Sequence, residues 1–387
     1  MDEDVDAVEE EEEEDEGIET EENKESEVYL PGKPLDNDEH LVVDESAYRM
    51  LHSAQTGAPC LSFDVIQDDL GSGREVYPLS MYLLAGTQAA KTHLNSLLVL
   101  KITNLTGTNE NKDDDESESE DEDEDAENGP KMSVASIKHQ GCVNRPFFTF
   151  KGHLSEGYGL DWCSTEPGVL ASGDCKGNIH LWKPGNATWN VDQRPYNSHA
   201  PHSVEDIQWS PSEKNVLASC SVDKSIKIWD TRVNPQSACM LTASDAHTAD
   251  VNVISWNKKE SCFIVSGGDD GAVKIWDLRQ FSNKSEAATP VATFKQHLTA
   301  VTTVEWHPDE SAVFASGGAD DQIDQWDLSV ESDSAAGESE LPNLPPQLMF
   351  IHQGQSDVKE LHWHPQCPGT LISTAASGFN IFRTISV

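Results

Sequence analysis

The sequence predicts an all-β fold, a β-propeller of stacked four-stranded antiparallel sheets, from three observations. A strand ending in Trp recurs at near-constant spacing, an aromatic-ended strand precedes each copy, and short apolar runs closing on small residues and Asp lie between the two. Repetition of this kind marks a fold built from like units, each of which hides its faces only by stacking on its neighbours.

The Trp-ended strands are NIHLWK (Asn178 to Lys183), SIKIWD (Ser225 to Asp230), AVKIWD (Ala272 to Asp277) and QIDQWD (Gln322 to Asp327). Their tryptophans, Trp182, Trp229, Trp276 and Trp326, lie 47, 47 and 50 residues apart, and a divergent copy, FNIFR (Phe379 to Arg383), puts Phe382 a further 56 on. The preceding strands end at Trp162, Trp209, Trp256, Trp306 and Trp363, most with a His ahead of them: His153, His247, His297 and His352. Between the two come Leu170 to Gly173, Leu217 to Ser221, Phe263 to Gly268 and Val313 to Gly318. Strand, strand, turn, strand is one blade, and the periodic aromatics belong to its core before any ligand platform.

The N-terminal third is organised differently. Residues 28–57 read as an extended, Pro-containing lead-in followed by an N-terminal helix of one or two turns over Ser46 to His52, anchored by Tyr48, Met50 and Leu51. Residues 58–108 read as first-blade strands, Pro59 to Ile66, Leu79 to Ala85 and Ser96 to Ile102, with Gly71 to Arg74 as a turn. The propeller repeats occupy 131–387.

Charge separates two further segments. Of the formal net charge of -43, most sits in residues 1–27, with 17 acids against one Lys, and residues 109–128, with 13 acids against one Lys. Like charges at this density repel and bury nothing apolar, so an acidic tail over 1–27 and an acidic loop over 109–130 are expected to be disordered. They disfavour direct nucleic-acid contact, which needs Lys and Arg at phosphates, and favour basic proteins as partners. The basic-client positions are Glu9, Glu10, Glu11, Glu12, Glu13, Glu14, Asp15 and Glu16 in the first tract. In the second they are Asp113, Asp114, Asp115, Glu116, Asp121, Glu122, Asp123, Glu124 and Asp125, and a solubilising role is the alternative. Ser117 and Ser119, each with acids at +1 and +3, suit an acid-directed kinase.

The apolar runs are strand-sized and the chain opens on acids, so neither a membrane span nor a secretory leader is expected. Eight cysteines without a C-x-x-C pair indicate neither disulfides nor a zinc knuckle. His362, His364 and Cys367 lack a fourth ligand, and the His-Pro turn there recurs at His307. Phosphate-cradle, dinucleotide and hydrolase motifs are missing, so no cofactor and no enzymatic activity are expected.

Residues 140–387 resemble WD repeats. In that family a His, a strand Ser, a turn Asp and the strand Trp form a hydrogen-bonded relay within a blade. The resemblance places two such sets here, His247, Ser266, Asp270 and Trp276, then His297, Ser316, Asp320 and Trp326. The blade of Trp229 offers Ser219 and Asp223, with the His displaced to His199 or His202. The blade of Trp182 has Lys176 at the turn-Asp position, which leaves its relay incomplete. Several copies of one set imply structural tetrads, not catalytic triads. Arg232 and Arg279, each in a Trp-Asp-x-Arg motif, resemble the arginines by which some WD-repeat proteins dock on the adaptor of a cullin-RING ubiquitin ligase; pairing with nearby acids is the plainer reading.

The N-terminal region resembles the histone-chaperone branch of WD-repeat proteins, relatives of the retinoblastoma-binding nucleosome assembly factors. The chain as a whole is similar to the glutamate-rich WD-repeat family, on Val28 to Phe63, Val204 to Trp209 and His362 to Val387. That resemblance implies a protein of the nucleus and nucleolus that acts in large-subunit ribosome biogenesis by chaperoning a basic ribosomal protein, with core histones as further partners. It also implies seven blades, whereas this chain supplies six, because residues 131–150 have room for one or two strands. The passage QGCVNRPFFTF (Gln140 to Phe150) reads as a blade's opening strand joined to the next blade's lead-in, as an altered transcript or gene model would leave it, with a natural six-bladed ring as the alternative; a ring left unclosed would expose sheet edges.

Overall fold

A computed structural model describes residues 29, 41–108, 129–138, 148, 150–186, 188–281, 288–331 and 344–387. Both acidic tracts, Glu9 to Glu16 and Asp113 to Asp125, lie outside the described residues, as do Ser117, Ser119 and most of Gln140 to Phe150.

The chain enters the fold as a strand where a helix was expected. After a 3-10 turn over Glu45–Ala47, β1 (Tyr48–Ala54) runs antiparallel to the last strand of the chain. Alternation decides the matter: Tyr48 and Met50 are buried, whereas Arg49 between them is exposed. The three residues named as helix anchors are therefore strand residues, two facing the core and Leu51 half-buried.

Among the described residues, six four-stranded antiparallel sheets follow as blades. Blade I is β2 (Cys60–Ile66), β3 (Leu79–Thr87), β4 (Ser96–Leu105) and β5 (Lys131–Lys138). Blade II is β6 (Leu160–Trp162), β7 (Leu170–Gly173), β8 (Ile179–Pro184) and β9 (Trp189–Val191). Blade III is β10 (Val204–Trp209), β11 (Val216–Ser221), β12 (Ile226–Asp230) and β13 (Cys239–Ala243). Blade IV is β14 (Val251–Trp256), β15 (Phe263–Gly268), β16 (Val273–Asp277) and β17 (Ala292–Phe294). Blade V is β18 (Val301–Trp306), β19 (Val313–Gly318), β20 (Ile323–Asp327) and β21 (Leu348–His352). Blade VI takes β22 (Val358–Trp363), β23 (Leu371–Ala375) and β24 (Gly378–Thr384), with β1 as its fourth strand.

Six blades match the count read from the repeats, with one change of boundary. Residues 131–138 close blade I, pairing with β4 from Thr103 opposite Lys131 to Ser96 opposite Lys138, so the acidic loop is an insertion between two paired strands.

The core is divided among the blade junctions. One apolar cluster joins blades VI and I through Leu83, Leu100, Ile372 and Phe379; others join II to III, III to IV, IV to V and V to VI. No hydrophobic cluster among the described residues joins blade I to blade II. Burying apolar area at about 25 cal/mol per Å² is what holds stacked blades together, so this junction lacks the term that secures the other five.

Candidate functional site

The four-residue relays form in blades II to V. In blade IV the Trp276 indole donates to Ser266 Oγ at 2.8 Å, Ser266 Oγ stands 2.7 Å from His247 Nε2, and His247 Nδ1 is 2.8 Å from Asp270. Because the serine oxygen accepts from the indole, its own hydrogen points at Nε2 and the histidine's Nδ1–H points at the carboxylate. The order is that of a hydrolytic triad, but Ser266 and His247 are buried and every polar group is already spoken for. Although burial opposes the charge, the bond from His247 holds Asp270 well below the usual carboxylate range.

Blade V repeats the set with His297, Ser316, Asp320 and Trp326. In blade III the displaced histidine is His199, at 2.7 Å from Ser219 and 2.8 Å from Asp223. Blade II corrects the expectation drawn from Lys176. Its relay is complete, because Asp174, two residues after Ser172 rather than four, reaches His153 at 3.0 Å while His153 and Trp182 both meet Ser172. A shorter turn brings the carboxylate to the same place, where the main-chain N–H groups of Lys176 and Asn178 also donate to it.

Blade VI uses different parts. Phe382 stands at the Trp position and carries no indole N–H, Ser373 donates to Gln355, and His352 stacks on Phe382 at 4.0 Å. Tyr48 from β1 meets His352 Nδ1 at 2.8 Å and Asn380 meets its Nε2 at 3.0 Å. With no carboxylate at hand, burial pushes His352 down to about 4.

The innermost strands carry a second set of polar contacts, not foreseen from the sequence, which bolt one blade to the next. Asp161 accepts the Trp209 main-chain N–H at 2.6 Å, Asp206 that of Ile254 at 3.0 Å, Ser255 that of Trp306 at 3.2 Å and Glu305 that of Trp363 at 3.0 Å. Glu360 does the same for Phe63, from blade VI to blade I, at 2.7 Å. Burial pushes Asp161 and Asp206 up to about 7. The signal was present as a polar residue one or three places before each aromatic, but its partner lies some 48 to 58 residues away for the first four and 297 for the last.

The imagined metal ligands have other tasks. His362 pairs with Glu305 at 3.1 Å. His364 accepts the main-chain N–H groups of Gln366 and Cys367, shaping the His-Pro turn as His307 does for Asp309 and Glu310. Among the described residues no group of three or more His, Cys, Asp or Glu is placed to hold a metal ion. Arg232 and Arg279 each fork onto the Asp of their own Trp-Asp pair, Arg232 Nη2 on Asp230 and Arg279 Nη2 on Asp277, both at 2.7 Å. Both side chains remain about two-thirds exposed, at 67% and 69%. Glu156, Asp269, Asp321 and Asp357 are exposed in turns next to the innermost strands, Asp357 paired with Lys359 at 2.6 Å.

Six stacked four-stranded sheets with repeated His-Ser-Asp-Trp relays define the WD-repeat β-propeller class. Its family, described as WD domain, G-beta repeat, matches residues 192–230, 237–277 and 288–327. A second family, that of the histone-binding protein RBBP4 and its counterpart in the CAF1 complex, matches residues 38–106, which hold β1 to β4. Three relatives align over nearly the whole chain. The protein heat stress tolerant DWD 1 of Arabidopsis thaliana is 39% identical over 93% of this chain and 92% of its own length. The ribosome assembly protein rrb1 of Schizosaccharomyces pombe is 39% identical over 92% and 84%, and the glutamate-rich WD repeat-containing protein 1 of Dictyostelium discoideum 44% over 91% and 83%. The chain belongs to the glutamate-rich WD-repeat family.

Proposed function

We propose that this chain is a non-catalytic WD-repeat chaperone of ribosome biogenesis in the nucleus and nucleolus. It takes up a strongly basic protein, a large-subunit ribosomal protein or core histones, with its acidic tracts and delivers it from the propeller. One observation carries the reading: a net charge of -43 concentrated in two tracts, of which the second is inserted between two strands of blade I. Clustered carboxylates attract Lys- and Arg-rich segments over about one Debye length, roughly 8 Å at physiological salt, quickly and with little sequence preference. The assembly role follows the name of the S. pombe relative, and the histone reading follows the family matched at 38–106.

The test is titration of the full chain, and of a variant lacking residues 109–128, with core histones and with a basic ribosomal protein across a salt series. The deletion lowers affinity and flattens the salt dependence; equal curves for the two proteins refute the reading.

A second reading, docking on a ubiquitin-ligase adaptor, rests on the exposed guanidinium groups of Arg232 and Arg279. Reversing both charges abolishes ligase co-purification under that reading and leaves basic-client binding intact.

A further inference from the structure

The residue opposite the relay serine, on the third strand of the blade, changes from blade to blade. His180 faces Ser172, Lys227 faces Ser219, Lys274 faces Ser266, Asp324 faces Ser316 and Asn380 faces Ser373. In blades III and IV the position is cationic: Lys227 Nζ reaches Asp223 at 3.1 Å, and Lys274 Nζ donates to the Ala246 carbonyl at 2.6 Å. In blade V the sign is inverted.

Asp324 is fully buried, and neither of its side-chain oxygens has a hydrogen-bond partner among the described residues. The ionisable group beside it is the relay histidine, with His297 Nε2 at 3.5 Å, while Asp320 holds His297 Nδ1 at 3.0 Å. One buried imidazole thus stands between two carboxyl groups. Nothing else balances them. Ser316 and Ile351 flank Asp324 on β19 and β21, and the blade IV residues clustered with Trp326 are apolar, among them Val273, Ile275 and Phe294. The titratable groups that act on Asp324 are therefore His297 and Asp320.

A carboxylate taken out of water without a single donor is strongly disfavoured, and a second one across the same ring makes it worse. Either Asp324 keeps its proton or His297 takes one. Because the two are coupled, that proton belongs to the pair. Burial pushes Asp324 up to about 7. His297 moves the same way, for although burial opposes its charge, the bond to Asp320 and the nearby Asp324 raise it.

We infer that blade V carries a proton-binding site, in which Asp324, His297 and Asp320 together hold one proton that the relays of blades III and IV do not, and that losing it as the solution turns alkaline weakens the blade. Below about pH 3.9 Asp324 is protonated in the folded and the unfolded chain alike. As pH rises toward about 7 the unfolded chain gives the proton up while the folded chain keeps it, so stability falls through that window and stays low above it. The raised His297 adds to the fall. His352 in blade VI works in the opposite direction, which is why a difference between variants is the right measure.

The test is thermal unfolding of the full 387-residue chain and of Asp324→Asn between about pH 5 and 8, with released protons counted from the dependence of the heat on buffer ionisation. Relative to the variant, the wild type loses a few degrees of melting temperature across the range and, near pH 6, releases about one proton more on unfolding. Asp324→Leu, which also removes the carboxyl group, flattens the profile in the same way should the amide fail to fold. In the wild type alone, the ring nitrogens of His297 report a titration near neutral pH by nuclear magnetic resonance. Parallel profiles with equal proton counts overturn the proposal, as do His297 signals that stay constant over the range. A profile that moves when sodium replaces potassium, or when magnesium is added at constant ionic strength, overturns it too, because the carboxylate then holds a metal cation in place of a proton.

Discussion

Blades IV and VI solve one problem with different means. Blade IV is a single run of chain, and its relay His247, Ser266, Asp270 and Trp276 ties four local segments together. Blade VI is assembled from both ends of the fold, with β1 supplying Tyr48 to His352 across 304 residues, and there the relay has been replaced by Gln355, Asn380 and a stacked Phe382. Where a distant strand anchors the sheet, the local motif is free to erode, because the outer strand itself covers what the relay would otherwise secure.

The comparison breaks most severely if β1 is removed. A chain starting at Gln55 bares β24 and loses Tyr48 and Met50 from the core, and its cooperative thermal transition disappears; an intact transition would show that blade VI closes without it. Next in size, Trp276→Ala in blade IV costs about 3–5 kcal/mol by denaturant unfolding, the usual result of emptying a buried aromatic site. Ser266→Ala costs about 1–3 kcal/mol, since it strands both the Trp276 indole and His247 Nε2, whereas Ser373→Ala in blade VI costs about 1 kcal/mol because only Gln355 loses a partner. Equal losses at the two serines would erase the distinction.

Blade II sharpens the point further. Asp174→Ala costs about 1–3 kcal/mol, and Lys176→Ala stays within about 0.5 kcal/mol, if the carboxylate has moved rather than vanished. The smallest effect is in pH dependence. With His352 pushed down to about 4, below an unfolded value near 6.5, the unfolded chain binds a proton that the folded one refuses between those limits. Its contribution to stability is therefore present above pH 6.5 and is lost as pH falls toward 4. The melting-temperature advantage over His352→Gln narrows by a few degrees across that window, and an advantage constant with pH contradicts a neutral, buried His352.

The relays of blades IV and V were readable because His, Ser, Asp and Trp keep fixed separations when one hairpin after another is made by adjacent chain. Asp174 was missed because spacing counts residues, whereas the relay needs only an oxygen 3.0 Å from His153. β1 was misread as a helix because seven residues have too little periodicity to tell alternation from a helical face until a partner strand is known. The interblade couplings of Asp161, Asp206, Glu305 and Glu360 left only a polar residue close before an aromatic, and that mark does not name its partner, a main-chain N–H group of another blade.

By itself, the amino-acid order determined that this chain stacks sheets and how many. Only the tertiary structure decided which ends meet, that β5 completes blade I beyond the acidic loop, and that Trp162, alike in sequence to four buried tryptophans, stands half exposed. Periodicity records which face of a strand is apolar. Whether anything arrives to cover that face depends on the neighbouring blade, and at one of six junctions no hydrophobic cluster among the described residues joins the two.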